Sequence, residues 1–156
     1  LQQRVPDAKL LLAGYCNVNV EQWLDHPDSV IRTGRITNRE VNLYLAASNV
    51  CWLPLVDSGA NRGRFPLKVH DYIASGRPVV GTDVGDLGEF IRQGGFGEAV
   101  PDNPDAIADA TLAHLLDAEE QACLGTRARQ FAETEATWSR AGNRLLNFYQ
   151  QSLSGG

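Results

Sequence analysis

Asn61-Arg62-Gly63-Arg64-Phe65-Pro66-Leu67-Lys68-Val69-His70-Asp71-Tyr72-Ile73-Ala74-Ser75-Gly76-Arg77-Pro78-Val79-Val80 is the stretch from which the fold is read. It predicts a basic, glycine-containing loop, a short helix opened by Pro66 and closed by Gly76, and a buried strand from Pro78. Proline suits a first helical turn and glycine the residue past the last one. A helix entered from a loop presents N–H groups without intrahelical partners and the positive end of its dipole, which favours an anion. Arg62, Arg64 and Lys68 add cations at that end. The chain as a whole carries a net charge of −5, so this basic cluster stands out, and a phosphate-bearing ligand is the partner it predicts.

Working outward, the same alternation of strand and helix recurs. Ala8-Lys9-Leu10-Leu11-Leu12-Ala13-Gly14 is a short apolar run of the kind found in strands covered on both faces. Val20 to Asp25 predicts a short helix with Trp23 and Leu24 inward, and Val30 to Gly34 a second strand. Thr37 or Asn38 serves as N-cap of a helix with Glu40 in its first turn and Val41, Leu43, Tyr44, Leu45 and Ala47 inward. Val50-Cys51-Trp52-Leu53-Pro54-Leu55 is a third strand, after which Asp57-Ser58-Gly59-Ala60 extends the basic stretch into a mobile loop of about ten residues. Beyond Val80, Asp83 to Ile91 reads as a strand exit entering a helix, Gly94 to Gly97 as its close, and Glu98-Ala99-Val100-Pro101 as a last strand. From Asn103 onward the pattern is helical: Pro104 opens one helix, Ala118 to Glu133 forms another with Cys123, Leu124, Ala128 and Phe131 inward, and a third begins near Thr137-Trp138. The ordered set predicts an α/β fold, a parallel sheet with helices on both faces, whose ligand lies at the carboxyl ends of the strands.

Composition bounds the alternatives. A chain of 156 residues that is 43% hydrophobic fits one domain with one core, residues 1–156, with its C-terminal helices over about 104–153. No apolar run reaches the roughly 20 residues that span a bilayer and no signal segment opens the chain, so no transmembrane segment is expected. Cys16, Cys51 and Cys123 are odd in number and far apart, which predicts three buried thiols rather than a disulfide framework or a metal site. A pI near 5.1 argues against nucleic acid as partner.

Phe65-Pro66-Leu67-Lys68 followed by Asp71-Tyr72-Ile73-Ala74-Ser75-Gly76-Arg77-Pro78-Val79-Val80 resembles the donor-sugar segment of retaining glycosyltransferases of the bacterial group 1 family, which have two Rossmann-like domains (the GT-B fold). Val50 to Leu55, Asp83 to Ile91 and Gly94 to Val100 resemble further elements of the same C-terminal domain, in the same order, so the resemblance spans nearly the whole chain. It implies a three-layer Rossmann-like parallel sheet, the C-terminal half of that architecture, lacking its first strand-helix unit. The absent strand is central in the usual order. The resemblance therefore implies either a repaired strand order or a central edge completed by another chain, such as a homodimer through the exposed sheet edge.

The implied substrate is a nucleoside diphosphate sugar, and the implied reaction transfers the sugar to an acceptor hydroxyl, the acceptor being held by an N-terminal domain absent from this chain. On that resemblance Arg64 and Lys68 oppose the charge developing on the leaving β-phosphate, together with amides near Phe65, Pro66 and Leu67. Asp71 accepts the ribose hydroxyls, Gly14 lets the donor approach backbone, and backbone at Arg35 and Ile36 reads the edge of the base. No metal or other cofactor is expected. The resemblance implies a cytoplasmic location, or a peripheral one at the inner membrane face for a full-length protein. Many family members carry two glutamates separated by seven residues; here the second position is Asp71 and the first is Gly63, while the Pro-x-Lys and Asp-Tyr form of other branches fits better. Asn61 or Asp57 could replace the missing carboxylate, and Glu89 either touches ligand or braces the loop through backbone amides. A sugar-nucleotide epimerase of the same architecture and a non-catalytic binding or scaffold module are the competing readings.

Overall fold

A computed structural model describes residues 1–154. Five strands, β1 (Leu10–Leu12), β2 (Val30–Arg32), β3 (Cys51–Leu53), β4 (Val79–Thr82) and β5 (Gly97–Val100), alternate with helices. These are α1 (Asn38–Ala47), α2 (Gly59–Arg62), α3 (Lys68–Ala74), α4 (Asp86–Gly94), α5 (Pro104–Leu116), α6 (Ala118–Thr134) and α7 (Trp138–Ser154). Every strand pair is parallel, as chains that return through a helix require.

The strands divide into two sheets, β1-β2 and β3-β4-β5. No repair of the strand order occurs within the described residues, and β1 and β3 each keep one edge without a strand partner there. The three-stranded sheet is covered on both faces. Leu53 and Val79 pack with Val69 and Ile73 of α3, Leu87 and Ile91 of α4, Phe96 and Ala128 of α6 on one side. Val80 and Val100 pack with Ala110 and Ile107 of α5 on the other. Successive residues of β4 thus serve opposite faces, and all four are buried. Phe65, His70, Phe90, Phe96 and Phe131 form a chain of ring contacts with centroids 5.1 to 5.6 Å apart along the first face, geometry favoured by ring quadrupoles.

Local signals set most boundaries. Thr37 caps α1 in a capping box: its hydroxyl accepts from the Glu40 N–H, and Glu40 accepts from the Thr37 N–H at 2.7 Å. That holds the Glu40 carboxyl below its usual range. Asn103 caps α5 with Pro104 in its first turn, and Gly76, at φ 64°, ends α3 in a conformation that favours glycine.

Several inward assignments are corrected. Val20–Trp23 is one 3-10 turn, and Trp23 is 67% exposed, with Leu24 and Leu43 also at the surface. Cys16 and Cys123 are exposed thiols; Cys51 alone of the three is buried. The apolar residues of α7 (Leu145, Leu146, Phe148, Tyr149) are exposed and Trp138 is 93% exposed. No helix among the described residues is long and apolar enough to cross a membrane.

Candidate functional site

The segment joining β3 to α3 is tied down at two points close to its β3 end. Thr82, the last residue of β4 and fully buried, donates its hydroxyl to the Leu55 carbonyl and accepts the Leu55 N–H, each at 2.8 Å. This one side chain extends the pairing of β3 with β4 two residues past the last backbone register at Leu53 and Gly81. Further along, Asp57 N–H donates to the Asp102 carboxylate at 2.7 Å, tying the segment to the exit of β5.

The chain from Ser58 to Arg64, read from sequence as irregular loop, contains a capped helical turn and several side-chain hydrogen bonds. Ser58 caps the single turn α2, its hydroxyl accepting from the Asn61 N–H. That turn brings Arg62 back over Asp57, where the guanidinium grips both carboxylate oxygens at 2.6 and 2.7 Å. The bidentate pair holds the Asp57 carboxyl below its usual range. Asn61 accepts from Arg64 Nε at 2.7 Å and donates to the Val56 carbonyl. Across from it, Gly85 at φ 58° lies against the backbone of Asn61 and Arg62, so close that a Cβ there would stand 2.9 Å from the Arg62 carbonyl oxygen. The exits of β3 and β4 therefore meet at one rim.

Of the three cations in this stretch, two are committed. Arg62 is spent on Asp57 and Arg64 on Asn61, while Lys68 is exposed and makes no ion pair or side-chain hydrogen bond among the described residues. Lys68 opens α3 beside Leu67, which is 74% exposed. Pro66 lacks an N–H, so the donors at this entry are those of Leu67 and Lys68. Their neighbours' N–H groups are already used, Val69 bonding the Pro66 carbonyl and His70 that of Leu67. With seven residues in α3, these individual donors and the ammonium outweigh any helix dipole. Phe65 and Pro66 are half-buried, the Phe65 ring packing on His70 and Phe90. Asp71 is exposed, in the first turn of α3, and its carboxylate makes no hydrogen bond among the described residues.

A second group of residues gathers at the exits of β1 and β2. Gly14 and Gly34, both at positive φ, face each other as an isolated bridge, and the Gly14 N–H donates to Thr33 Oγ1 at 2.9 Å. Arg35 lies over the ring of Tyr15, 4.9 Å from its centroid, and Ile36 is half-buried just before the Thr37 cap. Gly14, Arg35 and Ile36 are thus neighbours, as are Arg64, Phe65, Pro66, Leu67, Lys68 and Asp71. No hydrogen bond or ion pair among the described residues joins the two groups. Gly63 ends α2 at φ −91°, and a Cβ there would meet only the Gly59 carbonyl oxygen, at an ordinary contact distance of 3.6 Å. Glu89 accepts from Gln93 and pairs with Arg92 on its own helix, so it does not brace the loop amides.

Sequence reasoning missed the parts that Thr82, Asp57, Asp102 and Gly85 play in shaping the rim. A Thr at the end of an apolar strand, VVGT, is the available sign of the first, since a buried hydroxyl must find a partner.

Comparison with known proteins carries this arrangement further. Residues 1–117 match the family of group 1 glycosyl transferases. The putative teichuronic acid biosynthesis glycosyltransferase TuaH of Bacillus subtilis (strain 168) is 35% identical over 68 residues, which cover 44% of this chain and 17% of TuaH. Sucrose-phosphate synthase from Thermosynechococcus elongatus superimposes with a TM-score of 0.77 over 98% of this chain and 40% of its own, at 23% identity. WaaG, a glycosyltransferase of lipopolysaccharide biosynthesis, does so with a TM-score of 0.69 over 87% of this chain and 36% of its own, at 16% identity. The chain thus spans well under half the length of these relatives, and the structural likenesses establish the GT-B fold. With the family matched across the first 117 of 156 residues, this chain belongs to the group 1 glycosyl transferases.

Proposed function

We propose that this chain binds the nucleoside diphosphate portion of a sugar donor at the rim formed by the strand exits, for transfer of the sugar to an acceptor hydroxyl with retention of configuration. The observation that carries the reading is Lys68: an exposed ammonium without a partner among the described residues, seated at the entry of α3 beside the Leu67 and Lys68 N–H groups, on a loop already fixed by Thr82, Asp102 and Gly85. As the bond from the sugar C1 to the β-phosphate oxygen breaks, negative charge grows on that phosphate. A cation and N–H donors placed in advance stabilise that charge without reorganising. Arg64 precedes Lys68 on the same segment and can turn from Asn61 to the same phosphate. Asp71 offers two acceptor oxygens to ribose hydroxyls. Gly14, Arg35 and Ile36 offer backbone to the base. No metal is assigned a part. The acceptor side belongs to a separate domain, and the complete reaction requires both.

Titration calorimetry with uridine, adenosine and guanosine diphosphates tests this. Binding of at least one, weakened by Lys68→Ala and Asp71→Ala, is the expected result; no binding of any refutes it. Product analysis with the full-length protein distinguishes transfer from epimerisation. A second reading, a binding module without chemistry, is favoured by Gly63, which supplies no carboxylate to a sugar. At φ −91° and with only the Gly59 carbonyl oxygen at an ordinary 3.6 Å from a Cβ, Gly63→Glu is accommodated without strain; a gain in affinity for a sugar nucleotide over its nucleoside diphosphate would show that the sugar pocket is otherwise intact.

A further inference from the structure

Arg32, the last residue of β2, spends its whole guanidinium on the segment that follows β1. Nε and Nη2 hold the two Glu21 carboxylate oxygens at 2.5 and 2.6 Å, Nη2 also donates to the Val18 carbonyl at 2.6 Å, and Nη1 to the Cys16 carbonyl at 3.3 Å. The planar fork matches a carboxylate and two carbonyls at once, which a lysine ammonium cannot do. This matters because no apolar packing does the same job. Among residues 1–44 Ser29 alone is buried, and Tyr15, Val18 and Trp23 are exposed. The loop from Tyr15 to Asn19 is therefore held by this clamp, together with the Gly14 N–H on Thr33. Its consequence is a placement: the clamp lays the loop beside the exit of β2, with the Tyr15 ring against the Arg35 guanidinium.

We propose that Arg32 is a positioning residue for nucleoside recognition: by clamping Cys16, Val18 and Glu21 it holds the Tyr15–Asn19 loop as one wall of the nucleoside subsite opposite Gly34 to Ile36, and it takes no part in phosphate binding. The inference rests on the nucleotide reading above and adds to it a residue that does not itself touch the ligand. Glu21 supports it as the charge partner, its carboxyl drawn down to about 2 chiefly by the Arg32 hydrogen bond.

The test compares two probes on the same chain. Calorimetry with a nucleoside diphosphate and with inorganic pyrophosphate is run on the wild type, Arg32→Lys and Glu21→Gln, alongside hydrogen exchange of amides 15–21 and 79–82. Losing the fork should weaken nucleoside diphosphate binding about tenfold through loss of preorganisation, leave pyrophosphate unchanged, and speed exchange at 15–21 but not at 79–82. Equal loss for both probes would mean general unfolding and overturn the inference, as would unchanged nucleoside affinity in variants whose 15–21 amides exchange faster, or no change in exchange. Wild type that binds neither probe overturns the nucleotide reading itself and this inference with it.

Discussion

Thr82 gives the sharpest test of how the rim is held. Replacing it with valine keeps the shape and removes the hydroxyl, stranding the Leu55 N–H and carbonyl that it now satisfies at 2.8 Å each. Thr82 is fully buried and Leu55 6% exposed, so water does not replace the lost partner. An orphaned buried donor costs about 1–3 kcal/mol and a carbonyl adds less, which puts Thr82→Val at about 2–4 kcal/mol. Thr82→Ser keeps both hydrogen bonds and loses one methyl group, worth roughly 1 kcal/mol. The order of cost is thus valine above serine, the reverse of what burial alone predicts, since valine is the more apolar side chain. Urea denaturation at constant slope reads the difference directly. Because Leu55 begins the segment that delivers Lys68, Thr82→Val should also weaken nucleotide binding by more than Thr82→Ser does. Valine at least as stable as serine would refute the reasoning, for then the Thr82 hydroxyl would not be what joins Leu55 to β4.

Local geometry and charge set two further outcomes. Gly85→Ala forces a residue with Cβ into φ 58°, ψ −142° and against the Arg62 carbonyl at 2.9 Å; it should cost about 1–3 kcal/mol, whereas Gly63→Ala, at φ −91° and with its nearest contact an ordinary 3.6 Å from the Gly59 carbonyl oxygen, should cost well under half of that, and equal melting temperatures for the two would sink the claim. Burial pushes the Cys51 thiol up to about 12, against a small pull down from Arg77, and burial likewise pushes Tyr72 up to about 12. The folded state therefore holds these protons more tightly than the unfolded chain. The stability that these two groups contribute is complete below about pH 9 and is lost as pH rises from there towards 12, and at pH 8 an alkylating reagent should modify Cys16 and Cys123 quickly and Cys51 only on unfolding, as mass spectrometry of tryptic peptides will show.

What the sequence disclosed and what it hid divide along a physical line. The strands at Leu10, Val30, Cys51 and Val79, the Thr37 cap and the Pro104 entry are legible because each depends on residues next to one another in the chain. Burial of a helix face depends on a partner. The apolar residues of α7 satisfy a helical pattern and stay exposed because nothing among the described residues covers them. Leu43 and Cys123 fail for the same reason. At the site, Arg62 and Arg64 read as free cations because a loop gives no reason to pair them; the α2 turn, capped by Ser58, folds Arg62 back onto Asp57 five residues earlier. Lys68 escapes because it lies past that turn, on the exposed side of α3.

The divided sheet and the exposed N-terminal third are two sides of one fact. β1 and β2 pair over three registers and have no third strand among the described residues, so Leu10, Leu11 and Leu12 are only half-buried, whereas all four residues of β4, flanked by β3 and β5, are buried. A two-stranded sheet has too little area to exclude water from either face. What holds residues 1–44 is consequently mostly polar: the Arg32 clamp, the Gly14 to Thr33 bond and the Thr37 capping box, with Arg77 reaching the Ala46 carbonyl just beyond. Such contacts open with less free energy than a packed core does. Amides of β1 and β2 should therefore exchange by local opening, well ahead of those in β4, which wait for global unfolding. A strand seated on the free edges of β1 and β3 would remove that difference. Equal protection across β1, β2 and β4 in the isolated chain would mean that those edges are occupied in solution, and the division of the sheet would not be a property of the chain alone.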